Sequence, residues 1–190
     1  MNELNSFSWQ MSTMHTQRKT GSWENRDHNI VLAAVRLYER VCWQGHLARL
    51  TAWLRRRPFQ LFDLETVKQQ CQISNQHHAG TLSVPVKQIR GSDDRCHDFD
   101  YGFHPRQSHS RQKWLSVAMT HLAGDPLPPV DLVQVSGVYF VRDGHHRISV
   151  ARALGQQEIE AVVTVWQVTG SLPWEPATIE NGMGWGASVT

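Results

Sequence analysis

The residues that most clearly predict a binding function stand together in one short segment: Asp143, Gly144, His145, His146 and Arg147. The glycine permits a sharp turn and lets a ligand approach the backbone without a Cβ in the way. The residues after it begin a predicted helix, whose free N–H groups at the positive end of the dipole attract an anion. The arginine adds a forked donor for a phosphate, the histidines add imidazole donors, and the aspartate offers a carboxylate to a metal ion or an imidazole.

An ordinary structural role explains part of the same segment. Asp-Gly before a helix is common turn chemistry, and Asp143 can act simply as an N-cap. Spacing alone does not separate an anion site from such a turn, so both interpretations stay open.

The turn needs a strand before it and a helix after it, and the hydrophobic pattern predicts both. Residues 138–142 form a strand in a predicted hairpin with 130–135, joined at Ser136-Gly137. Residues 145–154 form a helix closed by Gly155, and the alternation over 158–166 predicts a final strand.

The upstream pattern predicts the remaining elements. It indicates a strand over 82–89, a polar loop over 93–110, and a helix over 111–123 with Ser110 as its N-cap. Apolar residues at three- and four-residue steps predict a long helix from Asn29 to the arginines at 55–57, stopped by Pro58. A short helix over 64–71 is predicted to follow Asp63 as its N-cap.

These elements predict an α+β chain. We expect a loose tail over residues 1–28, a helical segment over 29–75, a small core with the sheet over 81–168, and an irregular tail over 169–190.

The bulk composition sets further limits. Hydrophobic residues make up 40% and charged residues 19%, which is typical of a globular domain, and the net charge of +2 gives little support for nucleic-acid binding. Three scattered cysteines without a CxxC pair favour a reducing compartment. The polar N-terminus lacks a signal peptide, and no apolar run approaches the roughly 20 residues of a membrane span. We therefore predict a cytoplasmic protein without a membrane partner.

The segment from Tyr139 to Gly155, YFVRDGHHRISVARALG, resembles the signature segment of the ParB/sulfiredoxin superfamily. The upstream strand, helix and hairpin agree with that fold, so the resemblance implies a mixed-sheet ParB/sulfiredoxin-like domain over about 81–168. It also implies that the turn binds nucleotide phosphates: CTP in partition proteins, ATP in sulfiredoxins and ADP in free serine kinases. By position, the residues implied in phosphate contact are Gly144, His145, His146 and Arg147, with Mg²⁺ as the expected companion of the nucleotide.

Departures from the superfamily pattern restrict the function. His145 stands where sulfiredoxins have their reactive cysteine, so reduction of a cysteine sulfinic acid is not expected. Only about 22 residues follow Val168, so we expect no helix-turn-helix domain and no complete partition clamp. The Asp-Gly-His form is most similar to the Asp-Gly-His-Thr-Arg segment of free serine kinases.

The loop after the first core strand supplies the second half of the expected site, because in this superfamily it faces the turn. Its Gly-Ser, Asp-Phe-Asp and Phe-x-Pro-Arg segments also resemble uncharacterised bacterial ParB-like proteins. Ser92, Arg95 and Arg106 are expected to complete the phosphate clamp. Asp98 or Asp100 could bind Mg²⁺ or act as general base toward a hydroxyl acceptor. The alternative is a solvated polar loop held by Asx turns.

The cysteine and histidines of this loop also suggest zinc. The spacing of Cys96, His97, His104 and His109 matches no standard zinc pattern, so we predict no metal site.

The long N-terminal helix carries a second possible binding surface. Trp43, Trp53 and the arginines at 49 and 55–57 could contact nucleic acid, or they could form the solvated face of an amphipathic helix. Its apolar stripe is expected to pack in the core or to form a homodimer contact.

Three functions therefore remain open. The first is a nucleotide-phosphate-binding module, as a regulatory binder or a ligand-gated switch. The second is a small-molecule kinase or NTPase that uses the same pocket. The third is a DNA-associated ParB-like partition or regulatory protein.

Overall fold

A computed structural model gives the fold; it describes residues 4–56, 59–107 and 110–174, with side chains from Asn25 onward. The helices are α1 (Leu4–Leu54), α2 (Leu64–Gln70), a 3-10 turn (Val86–Gln88), α3 (Arg111–Ala123) and α4 (His145–Ala153). The strands are β1 (Phe62–Asp63), β2 (Gln72–Pro85), β3 (Ile89–Ser92), β4 (Val130–Val135), β5 (Val138–Asp143) and β6 (Glu158–Thr169).

The six strands form one mixed sheet in the order β1-β3-β5-β4-β6-β2. The pairs β1/β3, β3/β5 and β4/β6 are parallel, whereas β4/β5 and β2/β6 are antiparallel. The sheet and the four α-helices confirm the predicted α+β class.

The predicted hairpin is confirmed at the centre of the sheet. Val135 pairs with Val138, and the two residues between them, Ser136 and Gly137, have φ of 48° and 80°. Two left-handed residues are what the tight turn of a two-residue hairpin requires. This hairpin delivers β5 directly to the turn at 143–147.

The sheet is packed on both faces because β5 has an uninterrupted apolar run. Tyr139 and Val141 face a cluster that includes Ile148 of α4 and Phe99 of the 93–107 loop. Val138 and Phe140 face a second cluster on the opposite side, formed with α2 and the segment after β6: Leu64, Val67, Leu172 and Trp174. Residues on alternate sides of a strand point to opposite faces, so both faces are closed.

Three helices make a further layer over the first face. Ala34 and Val41 of α1 pack with Trp114 of α3 and Val150 of α4. The Trp114 Nε1–H donates to Ser149 Oγ at 2.8 Å, which satisfies the buried indole and fixes α3 to α4.

Arg152, near the end of α4, connects this helix to the 3-10 turn and to β3, the strand that precedes the 93–107 loop. Its Nη2 donates to the carbonyl oxygens of Val86 and Ile89 at 3.0 and 2.7 Å, and its guanidinium lies 4.8 Å from the ring centroid of Phe103. These contacts hold the C-terminal end of α4 against β3 and the loop that follows it.

The N-terminal prediction needs correction. The expected loose tail over 1–28 is wrong from Leu4, because α1 is one helix of 51 residues. No proline interrupts residues 1–57, so nothing in the chain forces an early break. The predicted stop at Arg57-Pro58 lies outside the described residues, although α1 ends at Leu54.

The boundaries of the sheet also differ from the prediction. The sheet begins at Phe62 rather than near residue 81, because β1 pairs with β3 and β2 starts at Gln72. The polar stretch 74–80 belongs to β2, an edge strand that pairs only with β6 and leaves most of these side chains in solvent. A polar edge strand lacks the apolar alternation from which strands are predicted.

Two of the predicted helix-end residues, Asp63 and Gly124, act as expected, and a third, Ser110, does not. Asp63 Oδ1 accepts the N–H of Glu65 at 3.0 Å, so the predicted N-cap of α2 is confirmed. Gly124 ends α3 in the left-handed region, at φ 83°. Ser110 does not cap α3, because its hydroxyl donates to the Gln107 carbonyl at 3.0 Å. Within the described part of the chain, no helix is long and apolar enough to cross a membrane.

Candidate functional site

The turn into α4 has a geometry that only glycine supports well. Gly144 has φ 97°, and a Cβ there would lie 2.6 Å from Val130 Cγ1. The first helix bond runs from the Ile148 N–H to the Gly144 carbonyl at 3.0 Å, and the Gly144 cap position supplies no side chain to the helix start. The N–H groups of the three preceding residues therefore have no partner within the helix.

A cleft of about 360 Å³ opens at this helix start. Its lining residues are Arg95, Lys113, Ser116, Val117, Asp143, Gly144, His145, His146 and Arg147. The structure thus brings all five residues of the predicted turn to one cleft, together with Arg95 of the loop and three residues of α3. The volume lies in the range of small-molecule sites.

Arg147 has a structural task in addition to its place on the cleft. Its Nη1 donates to the carbonyl oxygens of Pro128 and Pro129, the latter at 2.7 Å, and its Nη2 donates to Asp143 Oδ2 at 2.5 Å. The guanidinium therefore fixes the connector before β4 to the turn. Arg147 lines the cleft, but the geometry of its guanidinium is set by these protein contacts.

His145 is buried beneath the cleft and is held as a neutral imidazole. Its Nε2 and the hydroxyl of Ser92 form a hydrogen bond of 2.7 Å, and Ser92 Oγ also accepts the Arg95 N–H at 3.0 Å. Burial, reinforced by the Arg95 charge, lowers the pKa of His145 to about 4. The predicted ligand Ser92 is thus completely buried and positions His145 and the Arg95 backbone.

His146 lies against the loop, with the Phe99 ring edge-on at 5.4 Å between centroids. Burial is the main cause that lowers its pKa, followed by the charges of Arg95 and Lys113. Its Nε2 is buried and has no hydrogen-bond partner among the described residues. A buried nitrogen without a partner is costly, so a bound group that supplies one would be stabilised here.

Arg95 and Asp98 form the part of the loop nearest the turn. Arg95 lines the cleft, and its Nη1 lies 4.0 Å from Asp98 Oδ2. The Asp98 charge acts on His146 by raising its pKa against the dominant effect of burial. Asp98 is therefore beside the cleft without being part of its wall.

Asp100 is placed differently from its neighbour. The carboxylate is almost fully buried and accepts N–H bonds from Gly102 and His104 at 2.8 and 2.9 Å, and it pairs with His104 Nδ1 at 3.0 Å. It does not line the cleft. The structure therefore gives Asp100 a structural role within its own loop and places it away from the turn.

The second predicted arginine of the loop also lies away from the cleft. The Arg106 guanidinium lies 6.0 Å from the ring centroid of Phe59, and its backbone N–H bonds to the Asp98 carbonyl at 2.9 Å. Arg106 is exposed and is absent from the cleft wall. The expectation that it completes the clamp does not fit this placement.

The sequence prediction missed the contribution of α3. Lys113, Ser116 and Val117 reach the cleft from one face of that helix, at the i, i+3 and i+4 spacing. The spacing shows which residues share a face, but no local signal shows that this face meets the turn.

The cysteine–histidine loop shows no assembled metal site. In the part of the chain that the structure describes, no group of three or more His, Cys, Asp or Glu side chains could hold a metal ion. His109 lies outside that part. Burial raises the pKa of the Cys96 thiol to about 11, so the thiol is protonated at neutral pH.

Comparison with known proteins identifies no family. No family model matches the chain, and neither does any curated protein. Among solved structures, the crystal structure of sulfiredoxin from Arabidopsis thaliana is similar at 20% identity and a TM-score of 0.34, over 44% of this chain and 82% of that chain. A likeness at this level carries no argument about function, so the site is interpreted from its own geometry.

Proposed function

We propose that the cleft at the N-terminus of α4 binds the phosphate groups of a nucleotide. One observation carries the proposal: the open helix start faces Arg95 and Lys113 across the same cleft. Phosphate oxygens accept hydrogen bonds from backbone N–H groups and from cations, and the helix dipole adds to both.

The charge of the cleft supports an anion rather than a neutral ligand. Three lining side chains are cations, Arg95, Lys113 and Arg147, against the single carboxylate of Asp143. That carboxylate is already paired with Arg147. Because both histidines have lowered pKa values, the positive charge of the cleft comes from the arginines and the lysine, and phosphate binding should persist through neutral pH.

The resemblance of the turn to the ParB/sulfiredoxin superfamily supports a nucleotide over free phosphate. The candidates are CTP, ATP and ADP, each with Mg²⁺. Asp98, beside Arg95, is the loop carboxylate that could face a phosphate-bound Mg²⁺.

Calorimetric titration of the full chain with CTP, ATP and ADP, each with and without Mg²⁺, tests the proposal. We expect micromolar affinity for at least one of them. Lys113→Glu should weaken binding about tenfold or more, because it reverses a charge on the cleft wall. Lys87→Glu makes the same change on the 3-10 turn outside the cleft and should leave the affinity nearly unchanged. Absence of binding at millimolar nucleotide would overturn the proposal.

A second candidate function is phosphoryl transfer from the bound nucleotide to a hydroxyl acceptor. It is favoured by the position of Asp98, which lies beside the cleft near Arg95. Asp100, in contrast, accepts hydrogen bonds from N–H groups of its own loop. The carboxylate would accept the hydroxyl proton while the oxygen attacks the terminal phosphorus and the nucleoside diphosphate leaves. Asp98→Asn should then abolish transfer from labelled ATP and keep ATP binding. Equal transfer by the wild type and Asp98→Asn would reject Asp98 as the base.

A further inference from the structure

From Asn25 onward, helix α1 has two apolar faces, and the described residues cover one of them. The covered face packs against α3 and α4 and consists of Ala34, Leu37, Tyr38 and Val41. The other face, which we call the outer stripe, consists of Trp43, Leu47, Leu50 and Leu54. Because each helical residue turns by about 100°, the two faces point in nearly opposite directions.

The outer stripe is strongly exposed. Its four side chains have 66%, 46%, 61% and 75% of their surface in solvent, and the neighbouring Trp53 has 77%. On the inner side of the same stretch, Gly45 lies against His104, where an added Cβ would approach the His104 Cβ to 2.9 Å. The domain thus lies behind the stripe, and none of the residues whose side chains the structure describes covers it. A large contiguous apolar patch marks an interaction surface.

We infer that the outer stripe binds the outer stripe of a second copy of this chain, with the two helices antiparallel. The stripe has steps of four, three and four residues, which is the spacing of a coiled-coil seam. These steps read the same in both directions. A twofold axis therefore sets Trp43 opposite Leu54 of the second copy and Leu47 opposite its Leu50, so the same patch serves both copies.

The residues beside the seam favour a second copy over a charged partner. The flanking positions hold Gln44, His46, Thr51 and Trp53. None carries a permanent charge, and His46 Nδ1 accepts a hydrogen bond from Arg49 at 2.6 Å. Two copies therefore meet without like charges at the seam. An acidic helix would find one cation beside the seam, Arg49, which is already bonded to His46. DNA would leave three leucines without an apolar partner.

The available area is sufficient for a dimer. Two largely exposed tryptophans and three partly exposed leucines offer roughly 600 Å² per copy, or about 1,200 Å² in a dimer. That value is at the lower end of stable interfaces, so we expect micromolar rather than nanomolar self-association.

Sedimentation velocity of the full chain over a concentration series tests the inference. The wild type should be a dimer at high micromolar concentration, and Leu50→Glu should raise the dimer Kd about 100-fold, because a carboxylate would be placed in an apolar seam. Leu82→Glu, the same change at an exposed leucine of β2, should leave the Kd unchanged. Circular dichroism verifies that each variant is folded, and Leu47→Gln provides a milder variant of the stripe.

The orientation has its own test. Leu47→Glu and Leu50→Lys should each be monomeric, and a mixture of the two should form a heterodimer, since antiparallel helices set the introduced carboxylate of one copy against the introduced ammonium group of the other. A mixture that stays monomeric would reject the antiparallel arrangement. A wild type that is monomeric at about 100 µM, a concentration well above the Kd expected for an interface of this size, would overturn the inference. So would a monomeric wild type that instead binds DNA or anionic vesicles through the stripe.

Discussion

The candidate site has two halves, the turn at 143–147 and the loop after β3. They differ in how many of their expected binding residues line the cleft. All five residues of the turn line the cleft, but only Arg95 of the five expected loop residues does so. Ser92 and Asp100 are buried in hydrogen bonds of their own, and Arg106 lies over Phe59. A turn between a strand and a helix has a geometry fixed by its neighbours, whereas a long loop takes its shape from whatever it packs against.

The largest expected effect is a loss of stability when a buried carboxylate of the loop is removed. Asp100→Ala should lower the free energy of unfolding by about 3 kcal/mol, because it leaves buried N–H groups and the His104 imidazole without their acceptor. Asp98→Ala should change it by less than about 1 kcal/mol, since its partner Arg95 is half exposed. Urea unfolding measures both. A small effect of Asp100→Ala combined with lost nucleotide binding would return that residue to the site.

The next test concerns the turn and its buried imidazole. Below about pH 6.5 the unfolded chain protonates His145, but the folded protein does so only near pH 4, so stability is lost as the pH falls through this window. The expected loss is about 2–3 kcal/mol. The free energy of unfolding is measured at about pH 7 and about pH 4.5, which together span most of this window. The decrease between the two pH values should be smaller in His145→Gln than in the wild type by the contribution of His145.

The matched control is His77→Gln, which alters an exposed histidine of β2 and should keep the wild-type pH profile. Parallel profiles of the wild type and His145→Gln would show that the imidazole does not carry the effect.

The smallest expected effect is a change in nucleotide affinity that distinguishes Arg95 from Arg106. Arg95→Gln should weaken nucleotide binding about fivefold to tenfold, because it removes one charge from the cleft wall. Arg106→Gln removes the same charge outside the cleft and should leave the affinity within about twofold. Calorimetry with the tightest nucleotide measures both, and equal losses would place Arg106 at the phosphates after all.

The parts of the fold that sequence reasoning predicted well have strong local signals. The β4–β5 hairpin needs two left-handed residues between apolar strands, and Ser136-Gly137 provides them. Asp63 caps α2 because its carboxylate is two residues from the N–H it accepts. In each case the interacting groups are a few residues apart, so the local sequence contains both partners.

The failures have long-range causes. β2 was missed over 74–80 because its strand character comes from pairing with β6, about 90 residues away, and not from its own side chains. Lys113 was missed because its role depends on α3 lying against the turn. The two faces of α1 could not be separated, since both are apolar and only the packing of α3 and α4 decides which one is buried.

The local sequence is sufficient to specify the turn, with the strand before it, its glycine and the helix after it. These follow from backbone sterics and from N–H groups that a helix start always leaves open. The charges that surround the turn depend on long-range packing, which places Arg95 and Lys113 in the cleft wall and Asp100 and Arg106 outside it. The physical reason is that a side chain's reach is a few ångströms, whereas the residues that meet at this cleft are separated by up to about 50 positions along the chain.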